Sequence, residues 1–348
     1  MSNGSVRGRF VWHDLMTSDP QAAVAFYCGV VGWKSQVWGQ GVDYTMFVAP
    51  SGPVGGVMTL PEEARTMGAT PHWLTYIGTP DCDATCARAA ELGGRVLKAP
   101  GDIPTVGRFA ILLDPFGAAF AVFTPLAGAP AGAGEPGLGE FSWHELATRE
   151  LGRGFGFYAE LFGWEVTSSM DMGPDGVYQM FGIGGVPLGG VYEIPASRPM
   201  PPHWLPYAMV HDAHRATKAL VAAGGSVIHG PMEVPGGDWI TMAMDPQGAG
   251  FAVHARKPAN VAPAKEAAKP ATRPAARPAK RPAKKKPAKA KAAPKKAAKK
   301  RAAKPARKQA PKRAARKAAK APARRPVRSA AKKKAAKKKA ARRPARKK

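Results

Sequence analysis

At the start of the chain, the spacing of hydrophobic and polar residues changes from that of a strand to that of a helix and then back to that of strands. Alternation over residues 9–17 predicts a strand. Asp19 is a suitable N-cap and Pro20 a suitable first position for the helix that follows, in which apolar residues recur at helical spacing. Glycines then separate three short apolar runs, which predict strands near 33–38, 42–49 and 54–60. The pattern therefore predicts a βαβββ module.

The same order begins again further along the chain. A strand is predicted near 72–78, and Asp81 is a plausible N-cap for a helix that ends at Gly93. Three more strands are predicted near 95–99, 108–113 and 118–123. Two βαβββ modules thus fill the first third of the chain.

A repeat with an offset of 131 residues then reproduces this unit. Trp12-His13-Asp14-Leu15 returns as Trp143-His144-Glu145-Leu146. The same offset relates the pairs Phe26-Tyr27 and Phe157-Tyr158, Gly32-Trp33 and Gly163-Trp164, His72-Trp73 and His203-Trp204, and Asp114-Pro115 and Asp245-Pro246. We predict two tandem α+β domains, at 7–125 and 138–256, joined by a linker of small residues at 126–137.

These motifs resemble those of the vicinal oxygen chelate superfamily, the glyoxalase, bleomycin-resistance and extradiol-dioxygenase group. They are the Asp-Pro helix start, Phe-Tyr and Gly-Trp, and Asp-Pro-x-Gly-Ala near the end of each copy. The resemblance covers nearly all of residues 7–256. It implies that each pair of βαβββ modules forms an open, eight-stranded half-barrel. It also implies that the concave face holds a divalent metal or a small organic ligand.

The resemblance also implies three metal-ligand positions in each domain. Here they hold Trp12, Leu74 and Ala121 in the first copy, and Trp143, Leu205 and Ala252 in the second. None of these side chains can donate an electron pair to a divalent ion as family ligands do. No metal cofactor is therefore predicted, which argues against metal-dependent isomerisation and extradiol cleavage.

Strand alternation predicts which other side chains share the concave face. The pocket candidates are Trp12, Asp14, His72, Tyr76, Trp143, Glu145, His203, Tyr207 and His254. We favour a metal-free cavity in which aromatic rings stack on a planar ligand while a carboxylate and a histidine fix its polar groups. Two alternatives stay open: a displaced metal site of Glu145, His203 and His254, which would serve a metal-dependent lyase or dioxygenase, and purely structural roles for the His and Trp residues.

Such a cavity has two possible uses, sequestration of a compound or catalysis with a buried carboxylate as general base. The sequence does not separate them, and the catalytic residues stay unknown. His13 and His144 have the opposite parity, so we interpret them as core or interface residues. Cys82 and Cys86 share a helix face, and ordinary helix packing explains them better than a redox pair, because Ala213 and Thr217 replace them in the second copy.

Charge divides the chain sharply near residue 258. Residues 1–257 contain 15 basic and 23 acidic side chains, a net charge of −8, whereas residues 258–348 contain 38 basic side chains and one acid, a net charge of +37. This Lys/Ala/Pro-rich segment resembles the C-terminal domain of linker histones, and its composition predicts disorder. Its basic clusters are Lys284, Lys285, Lys286, Lys332, Lys333, Lys334, Lys337, Lys338 and Lys339.

The basic segment predicts sequence-nonspecific binding to DNA, with RNA, polyphosphate or an anionic membrane as other polyanions. Two classes of function follow. The first is a small-molecule-binding protein or metal-independent enzyme tethered to DNA; the second is an architectural nucleoid-associated protein with inert domains. The absence of a signal-like or membrane-spanning apolar run predicts a cytoplasmic, nucleoid-associated protein. Whether the two copies pair within one chain or through a homodimer stays open.

Overall fold

A computed structural model describes residues 6–39, 41–126 and 134–257. The first domain contains the eight predicted strands and the two predicted helices in the predicted order, together with one additional short helix. Its strands are β1 (Phe10–Thr17), β2 (Lys34–Val37), β3 (Thr45–Ala49), β4 (Gly52–Thr59), β5 (His72–Gly78), β6 (Arg95–Ile103), β7 (Gly107–Leu113) and β8 (Ala119–Pro125). Its helices are α1 (Pro20–Val30), α2 (Glu62–Thr66) and α3 (Cys82–Glu91). The short helix α2 was not predicted from the sequence, and β6 extends beyond its predicted end.

The second domain repeats this order with two long helices and one short 3₁₀ turn at Gly173–Asp175. Its strands are β9 (Phe141–Thr148), β10 (Glu165–Asp171), β11 (Val177–Ile183), β12 (Val186–Glu193), β13 (His203–Met209), β14 (Ser226–Glu233), β15 (Trp239–Met244) and β16 (Gly250–Ala255). Its helices are α4 (Leu151–Phe162) and α5 (Ala213–Ala222). Asp19, Asp81 and Asp212 each accept a backbone N–H as helix caps, which confirms the first two predicted caps.

Each domain forms one eight-stranded mixed sheet. The strand order in the first is β2-β3-β4-β1-β5-β8-β7-β6, and the second has the same order with β10-β11-β12-β9-β13-β16-β15-β14. The inner strands β1 and β5 are antiparallel, and each is parallel to the last strand of its own βαβββ module. The predicted α+β fold of paired βαβββ modules is therefore confirmed, with the modules paired within the chain.

The two main hydrophobic cores are each shared between the domains. One core combines α1, Trp33 and Trp73 of the first domain with α5 and Phe251 of the second. The other core combines α3 and Phe120 with α4, Trp164 and Trp204. Because burial of large apolar side chains is the main favourable contribution to folding, neither core is complete without both domains.

The repeated motif residues connect one domain to the other. The Tyr27 hydroxyl accepts a hydrogen bond from Trp73 at 2.9 Å and donates one to Asp245 at 3.1 Å. Tyr158 makes the matching contacts with Trp204 and Asp114. Asp114 also accepts the backbone N–H groups of the turn that follows it. The motifs that carry the family resemblance therefore stabilise the interface between the domains.

The basic segment at 258–348 and most of the predicted linker lie outside the described residues. The prediction of a disordered tail with its lysine clusters therefore stays a prediction. Among the residues that the structure does describe, none of the helices is long and apolar enough to cross a membrane.

Candidate functional site

Each sheet has a second face that lies opposite the shared cores. On β1, Trp12 and Asp14 point to this face, whereas His13 and Leu15 point to the domain interface. Residues of both sheets line one cavity. The part lined by Trp12, Asp14, His72, Leu74 and Tyr76 is here called the first hollow, and the part lined by Trp143, Glu145, His203, Leu205 and Tyr207 is called the second hollow. The predicted pocket residues of each domain do share one face.

Asp14 is at the centre of the first hollow and is 6% exposed. Its Oδ1 accepts hydrogen bonds from Trp12 Nε1 at 2.9 Å and from the Tyr44 hydroxyl at 2.6 Å. Its Oδ2 accepts a hydrogen bond from the Tyr76 hydroxyl at 2.7 Å. Both carboxyl oxygens of Asp14 are therefore occupied by protein donors.

Glu145 occupies the equivalent position in the second hollow and is also 6% exposed. The hydroxyls of Tyr178 and Tyr207 both donate to its Oε2 at 3.0 Å. Trp143 Nε1 donates to the Tyr178 hydroxyl at 2.8 Å rather than to the carboxyl group. The other oxygen, Oε1, accepts no hydrogen bond from any residue that the structure describes.

Burial changes the acidity of both carboxyl groups. It raises the pKa of Asp14, while the hydrogen bonds from Tyr44, Tyr76 and Trp12 act in the opposite direction. Burial raises the pKa of Glu145 to about 7, against hydrogen bonds from only two tyrosines. Glu145 therefore titrates near neutral pH, where a carboxyl group can both accept and donate a proton.

Two tyrosines of the site, Tyr44 and Tyr178, were missed in the sequence. Each ring lies over a glycine of the next strand: a methyl group at Gly56 would collide with Tyr44, and one at Gly190 would collide with Tyr178. The sequence contains a signal for them, since Tyr-x-Met-Phe occurs at both positions with an offset of 134. The segment that precedes Tyr178 is three residues longer than the one that precedes Tyr44. The two tyrosines are therefore 134 residues apart and not 131.

Among the residues that the structure describes, one ring nitrogen of each histidine at the start of β5 and β13 has no hydrogen-bond partner. His72 Nδ1 donates to the Thr70 carbonyl at 2.7 Å, and His203 Nδ1 donates to the Pro201 carbonyl at 2.9 Å. A carbonyl can only accept, so Nε2 is a hydrogen-bond acceptor in the neutral ring. Burial lowers the pKa of both imidazoles, which favours this neutral form.

His254 is held by two side chains at the end of the second hollow. Its Nε2 contacts Asp238 Oδ2 at 2.9 Å, and its Nδ1 contacts Ser142 Oγ at 2.9 Å. Ser142 is the extra residue of a β-bulge, because Trp143 pairs with Tyr207 and the next pair skips it. The first domain has Val11, Gly107 and Phe123 at the three matching positions.

The residues present do not fit the divalent metal that the family resemblance implies. Trp143 lies opposite Tyr207, which lies beside Ala252, so the family's ligand positions do converge. They nevertheless present an indole and a methyl group, and Leu205 adds an aliphatic side chain. The indole N–H is already bonded to Tyr178. The donor set at this position is therefore unsuited to a metal ion.

The displaced set of Glu145, His203 and His254 is not brought together either. Glu145 pairs with Leu205 on β13, whereas His254 pairs with Met209 at the far end of that strand. The six steps along the strand from His203 to Met209 span roughly 20 Å at the usual rise of a strand. Over the described part of the chain, no group of three His, Cys, Asp or Glu side chains is placed to hold a metal.

His13 and His144 meet at the interface, as their parity predicted. Their Nε2 atoms are 2.7 Å apart, and each ring stacks on a phenylalanine of the other domain, His13 on Phe141 and His144 on Phe10. Burial lowers the pKa of His13 well below its usual value and that of His144 to about 3. Both rings are therefore neutral and structural. Cys82 and Cys86 are likewise buried in the second shared core.

Comparison with solved structures supports this architecture. The 2,3-dioxygenase LapB from Pseudomonas sp. KL28 superposes with a TM-score of 0.51 at 13% identity, over 74% of this chain and 94% of that chain. A Mn(II)-bound glyoxalase from Novosphingobium aromaticivorans superposes with a TM-score of 0.50 at 17% identity, over 72% and 82% of the two chains. At these identities the likeness concerns the fold alone.

Sequence comparison gives more similar relatives. The anthracycline biosynthesis proteins DauV of Streptomyces sp. strain C5 and DnrV of Streptomyces peucetius are each 33% identical over 267 residues, which cover 71% of this chain and 92% of each relative. The family model described as Glyoxalase/Bleomycin resistance protein/Dioxygenase superfamily matches residues 9–122 and 140–253. The chain therefore belongs to the glyoxalase, bleomycin-resistance and dioxygenase superfamily, with two tandem domains.

Proposed function

We propose that both hollows bind a planar, largely apolar organic molecule without a metal ion at the family's ligand positions. The observation that carries this proposal is the buried carboxyl group at the centre of each hollow, held by tyrosine hydroxyls beside an indole. Ligand pockets of this kind combine an apolar lining with few, fixed polar groups. Glu145 and Asp14 supply those polar groups here.

The lining of the hollows supports a planar ligand. Besides the tryptophan and tyrosines, the second hollow is lined by Met170, Met180 and Met242, and the first by Met16, Met46 and Met58. Methionine adapts its shape and makes favourable contacts with aromatic rings. Flat rings offer large contact areas to such side chains at little cost in conformational entropy.

The polar groups are spaced to bridge a ligand. His203 is the diagonal cross-strand neighbour of Glu145, because Glu145 pairs with Leu205 two residues further on. Diagonal neighbours on one face are about 7 Å apart. One hydroxyl or carbonyl edge of a fused-ring molecule can therefore contact Glu145 while another contacts His203.

The named relatives agree with this ligand class. DauV and DnrV are named for anthracycline biosynthesis, and anthracyclines contain a planar fused-ring system. We infer that the ligand of this chain is a planar polycyclic aromatic compound that carries hydroxyl or carbonyl groups.

Equilibrium dialysis of the nuclease-treated full chain against a neutral hydroxyanthraquinone tests the proposal. We expect two sites per chain, one lost in Leu205→Trp and the other in Leu74→Trp, because each indole fills one hollow. Metal analysis of the same samples should find no stoichiometric divalent ion. Binding that survives both substitutions, or that requires added metal, would contradict the proposal.

We further propose that the segment 258–348 holds the protein on DNA without sequence preference. Its charge of +37 supports this, because each phosphate that a basic side chain neutralises releases condensed counterions. We therefore also propose that the protein is associated with the nucleoid in the cytoplasm. RNA, polyphosphate and anionic membranes are competing partners, because they are negatively charged as DNA is.

A salt series with the full chain and with a chain that ends at Pro270 tests this second proposal. The shorter chain keeps the compact unit that contains both shared cores. We expect full-length binding to random duplex DNA that falls steeply with salt, and no binding by the shorter chain. DNA binding by the shorter chain would contradict the tether, and tighter binding to RNA, polyphosphate or anionic vesicles would reassign the partner.

The architectural function is the second candidate, and the charge of the tail is the observation that favours it. In that case the tail alone accounts for the activity on DNA and the hollows bind nothing. The dialysis experiment separates the two candidates, since an architectural protein with inert domains shows no saturable binding of the hydroxyanthraquinone.

A further inference from the structure

The second hollow contains a reactive arrangement that the first hollow lacks. In the first, Trp12 and Tyr44 occupy one oxygen of Asp14, and Tyr76 occupies the other. In the second, both tyrosines bind the same oxygen of Glu145, and the indole of Trp143 contacts Tyr178 only. One carboxyl oxygen of Glu145 is therefore left for a ligand.

This open oxygen belongs to a side chain that is more than nine-tenths buried and lines the hollow. The tyrosine hydroxyls hold the carboxyl plane through Oε2, so Oε1 keeps a fixed direction. They also stabilise the negative charge whenever the group is ionised. A carboxyl group that is fixed, desolvated and open on one oxygen is suited to proton transfer.

We propose that Glu145 is the catalytic acid–base group of the second hollow and moves a proton, through Oε1, in a planar polycyclic aromatic ketone or hydroxyketone. This proposal rests on the ligand class proposed above. Glu145 takes the proton of a C–H bond next to a carbonyl, and the electron pair of that bond forms the C=C bond of an enolate. The same carboxyl group returns the proton to oxygen or to another carbon, which gives a tautomer of the substrate.

No oxidant, reductant or metal takes part in this reaction, and every atom of the substrate is kept. The pKa of Glu145, which burial raises to about 7, agrees with the role, because both protonation states are populated at neutral pH. The geometry favours Glu145 over Asp14 in this role, since protein donors bind both oxygens of Asp14 and only one oxygen of Glu145.

The elimination of 5-nitrobenzisoxazole by the full chain tests the proposal without knowledge of the natural substrate. In this reaction a base takes the proton of a ring carbon, the N–O bond breaks, and a coloured cyanophenolate is released. We expect saturable turnover that rises with pH through about 7 as Glu145 ionises. The matched variants are Glu145→Gln in the second hollow and Glu233→Gln, which removes an exposed carboxyl group of the same domain outside the hollows.

Glu145→Gln should lower the rate by at least about a hundredfold, which is the usual contribution of a general base. Glu145→Asp should restore part of the rate and keep a pH dependence. Glu233→Gln should retain the activity. A Glu145→Gln protein with the wild-type rate, or an equal loss in Glu233→Gln, would overturn the proposal.

Binding of the neutral hydroxyanthraquinone, measured on the same samples, separates the two proposals. If the compound binds in both hollows but elimination does not exceed that of Glu145→Gln, proton transfer is wrong and ligand binding stands. If the compound does not bind, the proposed function itself fails. Retained binding by Glu145→Gln also shows that this variant is folded.

Discussion

The two hollows have the same architecture but differ in how their carboxyl groups are bonded. Asp14 receives three hydrogen bonds spread over both oxygens, whereas Glu145 receives two on a single oxygen. In both hollows the indole donates to a tyrosine hydroxyl at 2.8 Å, but only Trp12 of the first hollow also donates to the carboxyl group. The two hollows thus differ in whether protein donors bind one carboxyl oxygen or both.

The largest predicted effect concerns the pH dependence of stability. Burial raises the pKa of Glu145 from 4.5 to about 7. Between these values the folded protein keeps a proton that the unfolded chain has lost, so the free energy of unfolding falls as the pH rises. The loss amounts to about 3 kcal/mol, at 1.36 kcal/mol for each pKa unit.

Denaturant unfolding at pH 5 and pH 8 measures this loss. We expect wild-type protein to lose about 3 kcal/mol more than Glu145→Gln over this range. Asp14→Asn should change the pH dependence less, because three donors stabilise the ionised Asp14. If the free energy of unfolding depended equally on pH in wild type and Glu145→Gln, the proposed difference between the two hollows would be wrong.

The second predicted effect concerns the glycines beneath the two tyrosines. Gly190→Ala places a methyl group against the Tyr178 ring, and Gly56→Ala does the same at Tyr44. Overpacking of this kind costs about 1–3 kcal/mol. Both variants should lower the melting temperature, but only Gly190→Ala should also impair the elimination reaction, which calorimetry and kinetics on the same samples would establish.

The third and smallest effect concerns single hydroxyl groups. Tyr178→Phe and Tyr44→Phe each remove one hydrogen bond to a buried carboxyl group, at a cost of about 1–3 kcal/mol if that group is charged. At pH 5 the neutral Glu145 should reduce the cost of Tyr178→Phe toward about 1 kcal/mol. The pH profile of elimination should move to higher pH in Tyr178→Phe and stay unchanged in Tyr44→Phe.

The sequence predicted the fold well because the repeated residues carry it. Tyr27 and Asp114 hydrogen-bond across the domain interface, and Trp73 donates to Tyr27 within the first domain, so one offset relates these residues and their counterparts. The alternation of strands also placed Asp14 and Glu145 on the open faces. These features follow from the repeated motifs and from the spacing of hydrophobic and polar residues, both of which can be found in a single sequence.

The finer details of the site could not be predicted from that period. Tyr44, just before β3, and Tyr178, in β11, are related by an offset of 134, so the main repeat missed them. Ser142 contacts His254 because a bulge interrupts the alternation of β9. Whether Oε1 of Glu145 accepts a hydrogen bond depends on the exact positions of the donors around it. No sequence pattern specifies these positions.

The pKa of Glu145 tests the central claim most directly. Carbon-13 NMR of the full chain with labelled glutamate side chains would follow its carboxyl signal, assigned by its loss in Glu145→Gln. We predict a midpoint near pH 7. A midpoint near the ordinary value of 4.5 would contradict the account, because Glu145 would then be a solvated carboxylate and the second hollow would have no special acid–base chemistry.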